Sequence, residues 1–533
     1  MEGMLKRYIS LSQLAEFFQS RFPGNRNKIM AHWSVVCMSM LVILTTAPCL
    51  ADSGKEVMRY GVKEYVKMVL ERNESVMVQH LEWKISQESI RNAQAIFEPD
   101  FIAGYHYQKT EEEYTEEEKA YYNFFMSSFK DRDERYNTYK ASVKGLVPTG
   151  ATLEIGYSLD DISNQFNTET GDEYVTTLNA KVTQPLLKGR GTVATKANIH
   201  VAEADAQIEH QTYRLRLMQT IFESARAYWD LKLAQKMRRL RSDSVRNAER
   251  LLANNTERVK AGMMAETELL EAETGLYRRR TLQSDSHQKY IQALNRVMTL
   301  ASLSGSENQV FEAVESLEMQ DLFMDLDECL QKAFAARPEY LSAKRKVSRE
   351  KIRLAHAKNQ RFPQLDMFGS YGINGKADST GDSWSEAFNT DYVSWAVGVE
   401  LEIPLGGGID TRSEVVAAKY RCRQAEMDLR STEVRIANDI ESTVRIIDQA
   451  AEQVCNSRRT VELNERMLDV ELARFSAGRS NSWEMLKREN LLNQAKIAQL
   501  ESLVRYKRAV LACLMAQGKL LDTYDVKVEE VRH

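Results

Sequence analysis

The residue types that most often carry catalysis are sparse in this chain and poorly placed for it. His106, His200, His210, His287 and His356 stand far apart, and none belongs to a His-Glu-x-x-His pair that sets two imidazoles on one helix face for zinc. Gly406-Gly407-Gly408 has neither the lysine nor the spacing of a phosphate-cradling loop. Cys329, Cys422, Cys455 and Cys513 are widely spaced without a C-x-x-C pair, so they outline no zinc site and specify no disulfide pairing. The chain therefore reads as no enzyme, with no cofactor and no metal.

The pattern that does recur is a turn. Arg474-Phe-Ser-Ala-Gly478-Arg-Ser-Asn-Ser-Trp-Glu484-Met485-Leu486 has a second copy, Arg258-Val-Lys-Ala-Gly262-Met-Met-Ala-Glu-Thr-Glu268-Leu269-Leu270, 216 residues earlier (478 − 262). In both, an arginine precedes the glycine by four, an acid follows it by six, and an apolar pair follows by seven and eight. Glycine where a helical pattern stops suits the left-handed position after a helix, because it lacks the Cβ that makes that conformation costly. Taken alone, either copy is an ordinary helix hairpin. Matched internal spacing makes the pair a duplicated one.

The elements flanking these turns repeat as well. Residues 56–97 read as a helix ending at Phe97-Glu-Pro99. The period then falls to two: Phe101, Ala103, Tyr105 and Tyr107 alternate with Ile102, Gly104, His106 and Gln108, and Tyr139 to Val147 continue the alternation. Val147-Pro-Thr-Gly150 reads as a turn before strands around Leu153–Leu159 and Tyr174–Val182, closed by Gln184-Pro185. The acidic stretch between about 110 and 135 reads as a long solvated loop. From Thr192 to about Lys260 the pattern is helical without a proline, and after Gly262 a shorter helix returns to about Ala301.

A loosely patterned link, 302–336, precedes the second pass. That pass opens at Arg337-Pro338-Glu339, where proline and an acid both suit a first helical turn. Strands at Leu365–Ile373 and Val393–Ile403 follow, separated by a Gly/Ser/Asp loop. A long helix from about Thr411 to Ser476 then meets the second turn and returns to about Gly518. The domains so read are a first repeat at 52–301 (strands about 100–184, tip 258–270), the link, a second repeat at 337–520 (strands about 364–404, tip 474–486) and a tail at 521–533.

Composition agrees. Charged residues make up 28% of the 533 and prolines number only 8, a balance suited to long water-exposed helices. The formal charge of −4 and the mixing of basic with acidic residues give no sign of a nucleic-acid partner. Arg26 and Lys28 precede an apolar run from about Trp33 to Leu44 and the small residues up to Ala51, which reads as a secretory signal cleaved after Ala51. An N-terminal anchor helix is the other reading. Met30 is the more usual place for such a signal to start, and Pro48 sits badly beside Cys49 for a lipid-anchored cysteine. Loss of 1–51 removes five basic and two acidic residues and takes the formal charge to near −7. No later stretch is apolar for the length of a spanning helix.

Across residues 56–520 the chain resembles the TolC-type outer-membrane efflux proteins. The residues that carry the resemblance are Arg337-Pro338-Glu339-Tyr340, Phe362-Pro363-x-Leu365, Gln184-Pro185-Leu186-Leu187, Ile403-Pro404-Leu405-x-Gly407 and both tip motifs. The resemblance implies an α+β membrane protein: a duplicated strand-helix repeat whose strands join an outer-membrane β-barrel and whose long helical hairpins join a periplasmic α-barrel, each closed by a homotrimer. Its implied partners are outer-membrane lipid, a periplasmic adaptor and an inner-membrane pump, for efflux or for type I secretion of protein. Family members usually contribute four strands per protomer; the hairpin around Val147–Gly150 makes six or stands outside the barrel, and four in the wall is the expectation. The rival reading is a periplasmic coiled-coil scaffold without a pore.

The resemblance also places a gate. Acidic residues after the last tip glycine form a constriction ring in the family; Glu484 matches the first, and the second position is Lys487 here. A ring of three glutamates beside three lysines implies weaker cation preference than a doubly acidic throat. A solvated pair on a helix surface is the competing reading for these two. The family's closing tyrosine matches Phe475, its closing arginine matches Ser480 with Arg479 adjacent, and its partner acid in the first hairpin matches Glu268. An Arg479–Glu268 pair is the expected substitute for the usual lock. Gly262 and Gly478, with Leu269, Leu270, Met485 and Leu486, are expected to shape the tip and meet the adaptor. Trp395, Tyr157 and Tyr371 are expected to face lipid or to pack within the sheet.

Overall fold

The computed structural model describes residues 56–125, 131–164, 172–303, 309–319, 324–389 and 391–528. The expected signal segment, with Met30 and Cys49, lies outside them. The chain divides into two compact units, 58–305 with 311–533, and 1–57 with 306–310. Of the second, only 56, 57, 309 and 310 are described; everything else below belongs to the first.

The chain opens with β1 (Glu56–Tyr60), α1 (Val62–Arg72) and α2 (Glu74–Gln94). The single helix expected over 56–97 is thus a strand and two helices. Asn73 makes the break, its side chain accepting from the amides of Ser75 and Val76 as the N-cap of α2. Next come β2 (Asp100–Glu113), α3 (Glu116–Phe125), β3 (Asp131–Leu146), β4 (Thr152–Asn164) and β5 (Glu173–Pro185). The acidic stretch is therefore largely ordered: Glu111, Glu112 and Glu113 pair with Asp133, Arg132 and Asp131 in the ladder. Interleaved basic residues permit this, and Lys119 of α3 bridges Glu113 and Glu116.

A short α4 (Gly191–Thr195) leads into α5 (Ala197–Lys260), 64 residues long, which returns through α6 (Glu266–Leu300). The link contributes β6 (Gln309–Ala313) and α7 (Leu326–Ala336), the latter capped by Asp325. The second pass runs α8 (Pro338–Gln360), β7 (Gln364–Ala377), α9 (Thr380–Phe388), β8 (Val393–Glu402), α10 (Ile409–Ser476, 68 residues), α11 (Ser482–Ala516) and α12 (Leu520–Thr523). At ~1.5 Å per residue α5 and α10 are each about 100 Å long. No helix among the described residues is long and apolar enough to cross a membrane.

The mid-length core holds the long helices together. Tyr65, Tyr228 and Phe311 are fully buried, with Tyr65 and Phe311 edge to face at 5.2 Å. Their hydroxyls are satisfied by backbone: Tyr65 donates to the Val297 carbonyl and Tyr228 to that of Tyr60, each at 3.0 Å. β1 pairs with β6 beside this cluster. Leu520 and Leu521 are buried against α1 and α5, so the segment after Gly518 begins inside the core.

The remaining six strands form one antiparallel sheet in the order β2-β3-β4-β5-β7-β8. The expectation of four strands is corrected here, because β3 and β4 sit inside the ladder. Their turn is tied to the sheet-to-helix junction: the Gly191 amide donates to Thr149 O at 2.9 Å, and Gly150, at φ 91°, leaves no room for a Cβ, which would lie 2.6 Å from Gly189 O. Register sorts the side chains by chemistry. One face carries Phe101, Tyr105, Tyr139, Val143, Ile155, Tyr157, Leu178, Tyr371, Trp395, Val397 and Leu401. The other carries Lys140, Lys144, Glu154, Asp160, Lys181 and Glu400. The apolar face is largely uncovered; Trp395 is 73% exposed. Among the described residues both edges, β2 and β8, lack a neighbour.

Candidate functional site

Both tips are built by the same backbone device, and it explains the repeated spacing. Gly262 (φ 69°) and Gly478 (φ 70°) stand in the left-handed region just past α5 and α10. The Gly262 amide donates to Val259 O and the Met263 amide to Arg258 O; the Gly478 amide donates to Phe475 O and the Arg479 amide to Arg474 O. These paired bonds satisfy the last carbonyls of each helix. The arginine four before the glycine is the residue whose carbonyl takes the bond that spans more of the chain. The acid six after it, Glu268 or Glu484, is the third residue of the returning helix, where negative charge is favoured.

From there the two copies diverge. Glu268 reaches across to the second hairpin, where its Oε2 accepts the Ser482 amide at 2.9 Å. That amide is one of the donors that the start of α11 leaves without an intrahelical partner. Asn481 caps the same helix from its own side by accepting the Glu484 amide at 2.9 Å. Ser482 is fully buried and its hydroxyl accepts from Asn255 Nδ2 of α5 at 3.0 Å. No ion pair joins Arg479 to Glu268 among the described residues. Within this chain a backbone amide takes the Glu268 carboxylate.

The other expected gate residues take these places. Glu484 and Lys487 face each other at 3.7 Å along α11, both partly exposed, as a helix-surface pair. Ser480 does not extend to the first hairpin; its hydroxyl bonds to buried Glu471 on α10, which Arg474 also approaches at 3.6 Å. Phe475 lies under the Arg258 guanidinium, 5.5 Å from ring centre, and packs on Leu251, Met485 and Leu486. Met485 and Leu486 are buried there, Leu269 is half-buried and Leu270 is exposed.

A further contact between the hairpins falls on residues that the sequence did not single out. Seven residues along α11 from Ser482, Glu489 Oε2 meets Arg279 Nη2 of α6 at 3.0 Å, with side-chain exposures of 13% and 10%. Arg279 Nε and Asn493 Nδ2 both donate to Ser244 Oγ of α5, at 3.2 and 3.1 Å. This polar clasp ties three helices together. Gly275 of α6 stands at this contact, where a Cβ would come 3.2 Å from Arg279 Nη1 and 3.4 Å from Leu486 Cδ1. A glycine inside a helical pattern is the one sequence signal that pointed to it. Beside the clasp, Leu270, Gly275, Arg278, Trp483, Leu486 and Lys487 line a cleft of about 350 Å³.

The chain matches the family model described as "Outer membrane efflux protein" over residues 65–302 and 329–517. It is similar in structure to the Campylobacter jejuni CmeC outer membrane channel, at 13% identity and TM-score 0.60, covering 86% of this chain and 85% of that one. A membrane protein from Pseudomonas aeruginosa is similar at 16% identity and TM-score 0.61, covering 89% and 98%. The open state of the Neisseria gonorrhoeae MtrE outer membrane channel is similar at 15% identity and TM-score 0.58, covering 86% and 89%. A comparison with curated proteins finds no match.

Proposed function

The chain belongs to the outer membrane efflux protein family, and on that premise we propose that it acts as a homotrimeric channel, the passive exit duct of an envelope-spanning efflux or type I secretion system. The observation that carries this reading is the six-stranded sheet, with one continuous apolar face, one polar face and two open edges. Exposed strand edges are a liability that closure removes. Six strands cannot close alone; three copies, joined edge β8 to edge β2, supply eighteen. A barrel of about that strand number leaves an aqueous lumen. The apolar face then meets lipid, as Trp395, Tyr157 and Tyr371 on that face suit, and the polar face lines the pore.

The two repeats, 52–301 and 337–520, contribute the hairpins α5–α6 and α10–α11 to a helical barrel in the periplasm. The tips close its entrance. Glu268 on Ser482 and Arg279 on Glu489 hold the second hairpin to the first, and an adaptor bound with its pump at the tip cleft releases them. The Glu484–Lys487 pair, repeated three times, leaves the throat less cation-selective than an all-acidic ring. Pump and adaptor, not the duct, choose the cargo. The pore-free scaffold gives no reason for an uncovered apolar sheet.

Native mass spectrometry of the detergent-purified full chain tests the assembly. Three copies per particle are expected; a detergent-soluble monomer, or a protein extracted without detergent, would overturn the reading.

A further inference from the structure

The helix α9 lies on the apolar face of the sheet, in the loop between β7 and β8, at the end of the strands away from the long helices. Its buried stripe is made of small residues: Ser383 and Ala387, one turn apart, are fully covered. Ser383 Oγ bonds to Thr176 Oγ1 of β5 at 2.9 Å. Gly375 of β7 makes the seat, since a Cβ there would fall 2.0 Å from Ser383 O and 2.3 Å from the Ala387 amide. The adjoining stripe, Trp384 and Phe388, is left 43% and 54% exposed, with Trp384 edge-on to Tyr157 at 5.4 Å.

That arrangement runs against folding in water. Burying a large aromatic side chain in place of a small one removes far more apolar surface from water, and the gain scales with that area. A loop helix serving as a lid on a solvated sheet would turn Trp384 and Phe388 inward. Here the small residues go under and the aromatics stay out. The docking level is informative too. Thr176 and Gly375 share a register row with Leu159, Tyr139 and Tyr105, the rings of the last two tilted against each other at 5.1 Å. In the next row outward the same face is mixed, with Asn137 and Asp161 between Tyr107 and Tyr174, and one row further it turns charged, with Lys109 and Arg135. The helix therefore sits where the apolar band ends, on its outer side.

We propose that α9 is an interfacial helix bound to the outer leaflet of the membrane, with Trp384 and Phe388 set among the lipid headgroups and upper acyl chains, where amphipathic rings are favoured. It fixes the depth at which the barrel sits. Its seat on β5 and β7 leaves both sheet edges free to join neighbouring copies. The inference rests on the barrel reading above, and the two fail differently.

The test is fluorescence quenching of the full-length protein in phosphatidylcholine vesicles carrying bromines either near the headgroups or deep in the chains. Wild type, Trp384→Phe and Trp395→Phe are compared, so that each difference spectrum isolates one ring. The expected result is that Trp384 loses more emission to the shallow bromines than to the deep ones and is shielded from aqueous iodide, while Trp395 loses emission to lipid bromines. If iodide quenches Trp384 and no bromolipid does, while Trp395 still responds to lipid, α9 is no membrane anchor and the barrel stands. If neither ring responds to lipid, the barrel reading falls and the inference with it.

Discussion

Glu268 and Glu484 hold equivalent places in the two tips and take different partners. Glu268 supplies a charged acceptor to the Ser482 amide across the hairpins; Glu484 pairs with Lys487 on its own helix. A hydrogen bond to a charged group is worth ~1.5–3 kcal/mol. Glu268→Ala is expected to weaken the start of α11 by about that much, read as faster amide exchange over 481–486 with α5 unaffected. Arg279→Met leaves Glu489 nearly buried without its partner and is expected to cost ~3–5 kcal/mol, much of it regained in Arg279→Met/Glu489→Leu; denaturant midpoints of the purified protein measure both. The tip acids and glycines were legible because the turn occurs twice. Arg279 and Glu489 were not, since they stand 17 and 11 residues past their glycines. A bond between unlike positions of two repeats leaves no periodic trace in either.

At the scale of elements, the sequence was clearest where one pattern runs long. α5, α10 and the alternating strands follow from period and punctuation, and Gly262 and Gly478 end their helices as expected. Short elements set by distant partners escaped. β1 has five residues and depends on β6, more than 240 positions on in sequence. α9 has nine residues, in a Gly/Ser/Asp stretch with loop composition, and is held by Thr176 and Gly375 of two strands. Its seat yields a direct prediction. Gly375→Leu puts a side chain where the α9 backbone lies, so the helix is displaced while the β7 ladder remains. Limited proteolysis should then cut within 378–389 markedly faster than in wild type; unchanged cutting would mean that Gly375 does not hold the helix down.

At the scale of the whole molecule, the strand count is what the sequence left open. The extra hairpin could lie in or out of the wall, because alternation alone does not say which strands are neighbours. Register and the tie of Thr149 to Gly191 bring all six strands into one ladder, so the proposed trimer has a wider membrane end than a twelve-stranded relative. In the same proposal the clasped hairpins narrow its periplasmic end. Pore and closed tip together are the central claim, and single-channel recording in planar lipid bilayers tests them most directly. Wild type should insert as a stable pore of small conductance, and Lys487→Asp should raise its preference for cations. Protein that never inserts, or a wide-open pore indifferent to residue 487, would contradict the claim.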